Sequence, residues 1–447
     1  MKVHLKTLGC RLNQSEMDSL ARQFIAGGKA LTDSPAQADL IVVNTCAVTQ
    51  EAVRSSRQSI HRLHRANPTA KIAVTGCYAH LAPEAVRRMA GVAYVVDNHA
   101  KESLVSIVTG APLADLQPFD LEPTARQALI GAGGRTRAFL KVQDGCDRHC
   151  TFCVTRLARG KGRSRPIAEV VAEAQMLTAH GYRELVLTGV HLGSYGHDRG
   201  QPDGLSHLLR ALLSHTDAPR IRLSSLEPWD LPPDLFALWE DRRLCRHLHL
   251  PLQSGCDATL KRMVRRTTQT SFRALVAQVR AIMPDAALTT DVIVGFPGET
   301  DAEFAISRAF IEEMDFAALH VFRYSMREGT AAARMPNQVP EATKRARAEA
   351  LIALGQQSTR RFAERFVGQR RPVLWEAISG ATEHGFINNG YTDNFLRVRC
   401  IVPRVLSNAL TETHLIGLAE DGALIGGLET AQLAQIGAPT CQIGDVL

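Results

Sequence analysis

Three thiols fall within the eight residues Cys146-Asp147-Arg148-His149-Cys150-Thr151-Phe152-Cys153. Thiolates are soft ligands that suit iron–sulfur clusters and zinc. A tetrahedral zinc ion needs four ligands, and the stretch offers no obvious fourth. His149 adjoins Cys150, and neighbouring side chains seldom converge on one small ion. Three thiolates instead suit a four-iron cluster that leaves one iron open to a substrate. A zinc knuckle or a chance cluster is the competing reading.

Three more cysteines stand singly, in Thr7-Leu8-Gly9-Cys10, Val43-Asn44-Thr45-Cys46 and Thr75-Gly76-Cys77-Tyr78. Each follows an apolar run that reads as a strand: Val3 to Leu8, Leu40 to Val43, and Ile72 to Thr75. A fourth run covers Val92 to Val96. Between them, Ser15 to Ala26 has helical apolar spacing, and Glu51 to Arg65 reads as a basic, mostly polar helix. Strands alternating with helices predict a doubly wound α/β domain. In a parallel sheet the carboxyl ends of the strands share one edge, where ligands bind. The three thiols are therefore predicted to meet at that edge. Gly9, Thr45 and Gly76 are small enough to let backbone approach a bulky group. A lone cysteine after a strand is usually a small buried hydrophobe; three at equivalent positions predict a second iron–sulfur cluster, again with an open iron.

Further along, candidate strands at Arg137–Val142, Leu185–Leu187, Ile221–Leu223, His247–Leu250, Asp291–Val294 and Leu319–Phe322 alternate with helices near 167–180, 205–215, 257–263, 271–283 and 301–314. About six βα units fit, which favours a partial (βα)6 barrel with its chemistry at the strand carboxyl ends. The run Arg156, Arg159, Lys161, Arg163, Arg165 follows the central triad. It reads equally as a solvated loop or as a contact for a carboxylate or for nucleic-acid phosphates. Residues 341–371 read as a basic helix, with Lys344, Arg345, Arg347, Arg360, Arg361 and Arg365. Short β-like runs and Asn/Gly turns beyond it predict a small β-barrel of a kind that commonly binds RNA. The domains are thus expected at 1–110, 136–367 and 368–447. A Pro- and Gly-rich linker is expected at 111–135. Cys245, Cys256, Cys400 and Cys441 show no ligand spacing and read as structural. The sixteen histidines form no H-E-x-x-H array and read mostly as surface or core.

Lys and Arg exceed Asp and Glu by 52 to 45, a formal charge of +7 that permits a polyanionic partner without requiring one. No apolar run reaches membrane-spanning length. Met1 to Lys6 alternates like a strand and lacks the apolar core of a signal peptide, so the cytoplasm is the expected compartment, with no membrane partner. Cysteines there stay reduced, so clustered ones read as metal ligands rather than disulfides.

Taken together, these motifs resemble the radical S-adenosylmethionine (radical SAM) methylthiotransferases over nearly the whole chain. The resemblance rests on Thr7 to Gln14, Asn44 to Thr49, Val74 to Ala79, Gly145 to Cys153, Leu187 to His191, His249 to Gly255 and Asp291 to Thr300. Asn44 to Thr49, Thr188 to His191 with Tyr195-Gly196, and Gly390 to Phe395 are most similar to the branch that modifies N6-threonylcarbamoyladenosine (t6A) at position 37 of tRNA. The stretch Val154 to Gly160 departs from that branch in lacking a proline and carrying Arg156.

The resemblance implies a radical SAM barrel followed by a TRAM-like barrel that binds tRNA. It implies two [4Fe-4S] clusters and SAM as cofactors. Cys146, Cys150 and Cys153 would hold the reducing cluster and SAM. Cys10, Cys46 and Cys77 would hold the cluster that carries the inserted sulfur. The implied reaction replaces the unactivated C2–H of the modified adenine with a methylthio group, by way of a 5′-deoxyadenosyl radical. The partners would be the anticodon loop of ANN-decoding tRNAs, unstacked for the reaction, and an electron donor such as flavodoxin or ferredoxin. Two rivals keep the chemistry and change the substrate, to isopentenyladenosine 37 or to a ribosomal-protein aspartate. A third is an RNA-binding protein with structural metal sites.

Overall fold

The computed structural model describes residues 1–110, 136–232, 234–429 and 433. The proposed linker 111–135 and Cys441 lie outside the described residues.

The first sheet is all parallel. It contains β1 (Lys2–Thr7), β2 (Ala30–Leu31), β3 (Leu40–Thr45), β4 (Lys71–Gly76) and β5 (Val92–Val95), in the order β2-β1-β3-β4-β5. The apolar run of β3 is buried on both sides. Leu40 and Val42 pack with Met17, Leu20 and Phe24 of the helix Arg11–Ala26. Ile41 and Val43 pack on the other face with Ile60 and Leu63 of the helix Gln50–Ala66. Burial on both faces is why this strand reads as a continuous apolar run rather than an alternating one. Helices on opposite faces make the domain doubly wound, and the winding reverses between β1 and β3. That switch point opens a crevice at the strand carboxyl ends. Among the strands of this sheet, sequence reading missed the two-residue edge strand β2; it also missed the short helices Cys77–Leu81 and Pro83–Arg87.

The second unit contains β6 (Arg137–Lys141), β7 (Gln143–Asp144), β8 (Arg163–Ser164), β9 (Glu184–Thr188), β10 (Arg220–Leu223), β11 (His247–His249), β12 (Ala287–Val294) and β13 (Ala318–Arg323). Six of these strands form a parallel arc, β6-β9-β10 and β11-β12-β13, joined by bridges Ile221–Leu244 and Ser225–His249. This is the expected partial (βα)6 barrel. Its one departure lies between β10 and β11, where the 3-10 turn Leu235–Glu240 replaces a helix. Pro228 and Pro232 lack the amide hydrogens that a helix there would need. The short antiparallel pair β7–β8 closes the base of the loop carrying the three clustered cysteines.

The long helix Glu341–Glu364 leads into a closed barrel of β14 (Arg370–Thr382), β15 (Gly385–Thr392), β16 (Arg397–Val402), β17 (Leu410–Leu418) and β18 (Leu424–Gly427). Trp375 fills its core beside Val398, Leu415 and Leu424 and donates from Nε1 to Thr411 Oγ1 at 2.8 Å. Closure removes the free strand edges that would otherwise pair with other chains.

Candidate functional site

The switch-point crevice is where the three single cysteines emerge. Cys10 is the N-cap of the helix that follows β1, Cys46 follows β3, and Cys77 opens the short helix Cys77–Leu81 after β4. Gly9 has φ +95°, and a Cβ there would lie 2.6 Å from Cys46 Cβ and 2.7 Å from its Sγ. Gly76 has φ +96°, and a Cβ there would collide with the Thr45 carbonyl. Both positions therefore need glycine, for backbone hand and for space. The thiols are close enough to act on one another electrostatically. Burial pushes the Cys46 thiol up, and Cys10 and Cys77 add to the effect. Burial also pushes up Cys77, opposed by the nearby Arg159 and Lys101. All described cysteines are free thiols.

The second triad sits on the loop between β7 and β8. Burial pushes the Cys146 thiol up to about 11, and the approach of Cys153 and Cys150 reinforces this. Backbone amides point at the sulfurs: Arg148 N lies 3.4 Å from Cys146 Sγ, and Thr155 N lies 3.4 Å from Cys153 Sγ. Arg265 Nη1 lies 3.8 Å from Cys150 Sγ and donates from Nη2 to Glu227 at 2.6 Å. A set of thiols faced by amides and a guanidinium fits an anionic, sulfur-ligated cluster, because such donors stabilise thiolate charge. His149, the one candidate for a fourth zinc ligand, is exposed and lies against Arg156 instead. Behind the loop, His191 Nδ1 lies 3.9 Å from Cys146 Sγ, and its Nε2 lies 2.9 Å from Asp230. Burial would raise the Asp230 carboxyl, but hydrogen bonds from His191 and Arg148 hold it at about 2. Arg148, inside the cysteine loop, is thereby anchored to the barrel as a carboxylate partner at 2.6 Å.

A buried ionic cluster joins the two triads. Glu16, six residues after Cys10, meets Arg159 at 2.8 Å, Lys101 at 2.6 Å and Lys141 at 3.3 Å. Arg159, six residues after Cys153, also reaches Asp144 at 3.0 Å and Asn13 Oδ1 at 2.6 Å. Asp144 lies two residues before Cys146. The cysteine loop of the barrel and the cysteine edge of the first sheet thus share one interface. Arg159 is only 3% exposed, so for this residue neither a solvated loop nor a phosphate contact holds. Arg165 is likewise engaged, with Glu173 at 2.6 Å.

Two features escaped sequence reading. His249, Asp291 and His320, from the adjacent strands β11, β12 and β13, converge in the barrel at 3.3 and 3.2 Å and are spaced to take a cation. Their signal is positional: three polar residues on neighbouring parallel strands, invisible to a search for H-x-x-H. The second is the self-pairing of the helix Glu341–Glu364. Arg345 meets Glu349, Arg360 meets Glu364, Arg361 meets Asp315, and Arg347 is buried against Glu299. Its arginines are largely neutralised by acids. Cys245, Cys256 and Cys400 are buried, as expected of structural thiols.

Comparison with known proteins agrees with this layout. Residues 2–97 match the uncharacterized protein family UPF0004, and residues 140–311 match the radical SAM superfamily. The chain is 38% identical to threonylcarbamoyladenosine tRNA methylthiotransferase MtaB of Bacillus subtilis, over 89% of each chain. It is 37% identical to tRNA-2-methylthio-N(6)-dimethylallyladenosine synthase of Novosphingobium aromaticivorans, covering 83% of this chain and 86% of that one. It is also 37% identical to ribosomal protein uS12 methylthiotransferase RimO of an Anaeromyxobacter species, covering 86% and 83%. Among solved structures, the radical S-adenosylmethionine methyltransferase TsrM of Kitasatospora setae superposes with a TM-score of 0.53 over 72% of each chain at 16% identity, a likeness of fold.

Proposed function

Because the chain belongs to the radical SAM methylthiotransferase family, we propose that it converts t6A at position 37 of tRNA to its 2-methylthio derivative. An enzyme of this family uses SAM and a [4Fe-4S] cluster. In our reading Cys146, Cys150 and Cys153 hold that cluster, and Cys10, Cys46 and Cys77 hold a second one. When bound, these groups supply the one-electron reduction, the radical chemistry at C2 and the inserted sulfur.

The protein's own residues have the remaining tasks. Gly9 and Gly76 let the turns that carry the three cysteines pack closely against one another. Arg159 and Lys101 place positive charge beside Cys77, and Arg265 does so beside Cys150, which favours the thiolate forms needed for ligation. The Asp230–Arg148 pair and His191 fix the shape of the cysteine loop. The observation that carries the reading is the shared interface, tied by Glu16 and Arg159, which brings together the segments that carry the two thiol triads. A substrate base held there could meet the chemistry of both.

The choice of t6A follows the name of the Bacillus subtilis relative and the residues of the t6A-modifying branch. The five-stranded barrel is the proposed tRNA-binding module. No helix among the described residues is long and apolar enough to cross a membrane. A tRNA substrate and a reduction step place the reaction in the cytoplasm, with a flavodoxin- or ferredoxin-type donor. The deciding experiment is mass spectrometry of tRNA nucleosides from a deletion strain. We expect 2-methylthio-t6A to vanish and to return on complementation. Loss of the isopentenyl nucleoside instead, or of the modified ribosomal aspartate, would assign one of the other two substrates. Anaerobic iron analysis addresses the non-enzymatic rival, which predicts zinc.

A further inference from the structure

We propose that the exposed face of the helix Gln50–Ala66 is a docking surface for the phosphodiester backbone of the substrate RNA, running outward from the reaction site along the anticodon arm. The inference rests on the tRNA reading above and adds a place to it.

Arg54, Arg57, His61, Arg62 and Arg65 recur at helical spacing and are exposed, while Ser56, Ile60 and Leu63 point inward. Glu51 is the only acidic residue in the helix. Among the described residues, none of the four arginines has an ion pair or a side-chain hydrogen bond. This sets the helix apart from Glu341–Glu364, whose arginines are held by acids of their own chain. Free guanidiniums in a row are what a polyanion needs, because each one that meets a phosphate releases condensed counterions.

Position adds the second argument. Thr49 caps the helix, accepting from Ala52 N at 3.1 Å, only three residues after Cys46. Gln50 donates from its backbone N to Ser325 Oγ at 3.3 Å and from Nε2 to Met326 O at 3.1 Å. Arg327 donates to the carbonyls of Ala47 and Val48. Residues 325–327 follow the carboxyl end of β13, so the helix starts at the mouth of the barrel. Its 17 residues then extend about 25 Å from that mouth. Two adjoining open hollows, of about 410 and 550 Å³, lie between the side chains of this face; Arg54, Arg57 and Arg327 line the first, and Arg62 and Arg65 the second. An RNA loop presented at the mouth would lay its stem backbone along this track.

The test uses the anaerobically reconstituted full-length holoenzyme. A t6A-containing anticodon stem-loop is titrated at several salt concentrations against wild type and against Arg54→Gln/Arg57→Gln/Arg62→Gln/Arg65→Gln. Glutamine keeps helix propensity close to that of arginine, and circular dichroism confirms folding. We expect affinity to fall about 10- to 100-fold near 0.1 M salt, and the salt slope to become shallower by about two to four. The matching set of four Arg→Lys changes should stay within about threefold of wild type, and Arg345→Gln/Arg360→Gln within about twofold. Unchanged affinity and slope in the glutamine variant, with wild type binding normally, would overturn the docking surface and leave the tRNA reading standing. Failure of wild type to bind the RNA would overturn both. Normal RNA binding with slowed reduction by an acidic flavodoxin would overturn the proposal and assign the face to the electron donor.

Discussion

Glu16 and Arg159 meet at 2.8 Å with both side chains buried, one from the first helix of the sheet domain and the other from the end of the short helix Thr155–Arg159 after the second cysteine triad. Burial opposes the charge on Glu16, but Lys101, Arg159 and Lys141 hold its carboxyl well below the usual range. The pair is the electrostatic centre of the interface between the two thiol triads.

Replacing Glu16 with Gln leaves three cations facing no full negative charge from that side. Breaking a buried pair by removing one partner costs about 3–5 kcal/mol. The urea midpoint of Glu16→Gln should fall accordingly, and Glu16→Gln with Arg159→Gln should cost less than the sum of the singles. Strict additivity would show that the two side chains do not act as a unit.

Iron content separates the triads. Wild-type protein reconstituted anaerobically should hold about eight irons, and Cys10→Ala or Cys146→Ala about four each. Cys146→Ala should lose cleavage of SAM to 5′-deoxyadenosine. Cys10→Ala should keep that cleavage and lose methylthio insertion. Retained insertion in Cys10→Ala would remove the second-cluster assignment.

Gly76→Ala sets a side chain against the Thr45 carbonyl in a left-handed backbone conformation. It should lower stability by about 2 kcal/mol or more. Gly28, at φ +70° with open space around it, provides the control. Gly28→Ala should cost only about 1 kcal/mol, so equal costs at both positions would contradict the crowding argument.

Glu184 gives the pH dependence a definite sign. Burial would raise its carboxyl, yet Arg222 and Arg220 hold it at about 2, below the ordinary value of 4.5. Its contribution is therefore full above about pH 4.5 and is lost as pH falls toward 2, amounting to about 3 kcal/mol. Urea unfolding of wild type and Glu184→Gln should differ most at neutral pH, and the gap should close between pH 4.5 and 2. A gap constant over that range would refute the ionic role.

Much of this was legible because apolar runs report burial directly. Leu40 to Val43 and Asp291 to Val294 announced buried parallel strands, and the cysteines after β1, β3 and β4 followed from the rule that strand ends share an edge. Charge was far less legible, because a side chain's sign says nothing about its partner. Arg159 reads as one of five basic residues in a loop, yet its partner Glu16 lies 143 positions away. The helix Glu341–Glu364 reads as a basic surface, but its acids sit one turn along or beside the ends of the neighbouring helix Asp301–Glu313. The helix Gln50–Ala66 reads as similarly basic, yet its four arginines have no ion pair among the described residues. His249, Asp291 and His320 come together only through the order of the strands, which pattern alone does not supply.

Phe395 sits where three parts of the chain converge. Its ring lies 4.6 Å from the Arg222 guanidinium and 5.4 Å from that of Arg137, both in the central barrel, and 6.0 Å from that of Arg11 in the first domain. Beside it, Arg220 and Arg222 donate to the carbonyls of Tyr391, Thr392 and Asp393. A terminal module pinned in this way cannot swing on a tether. Under the function proposed above it would work as a ruler of fixed length, so which nucleotide reaches the reaction site would be set by the distance measured along the bound strand as much as by any contact with the base.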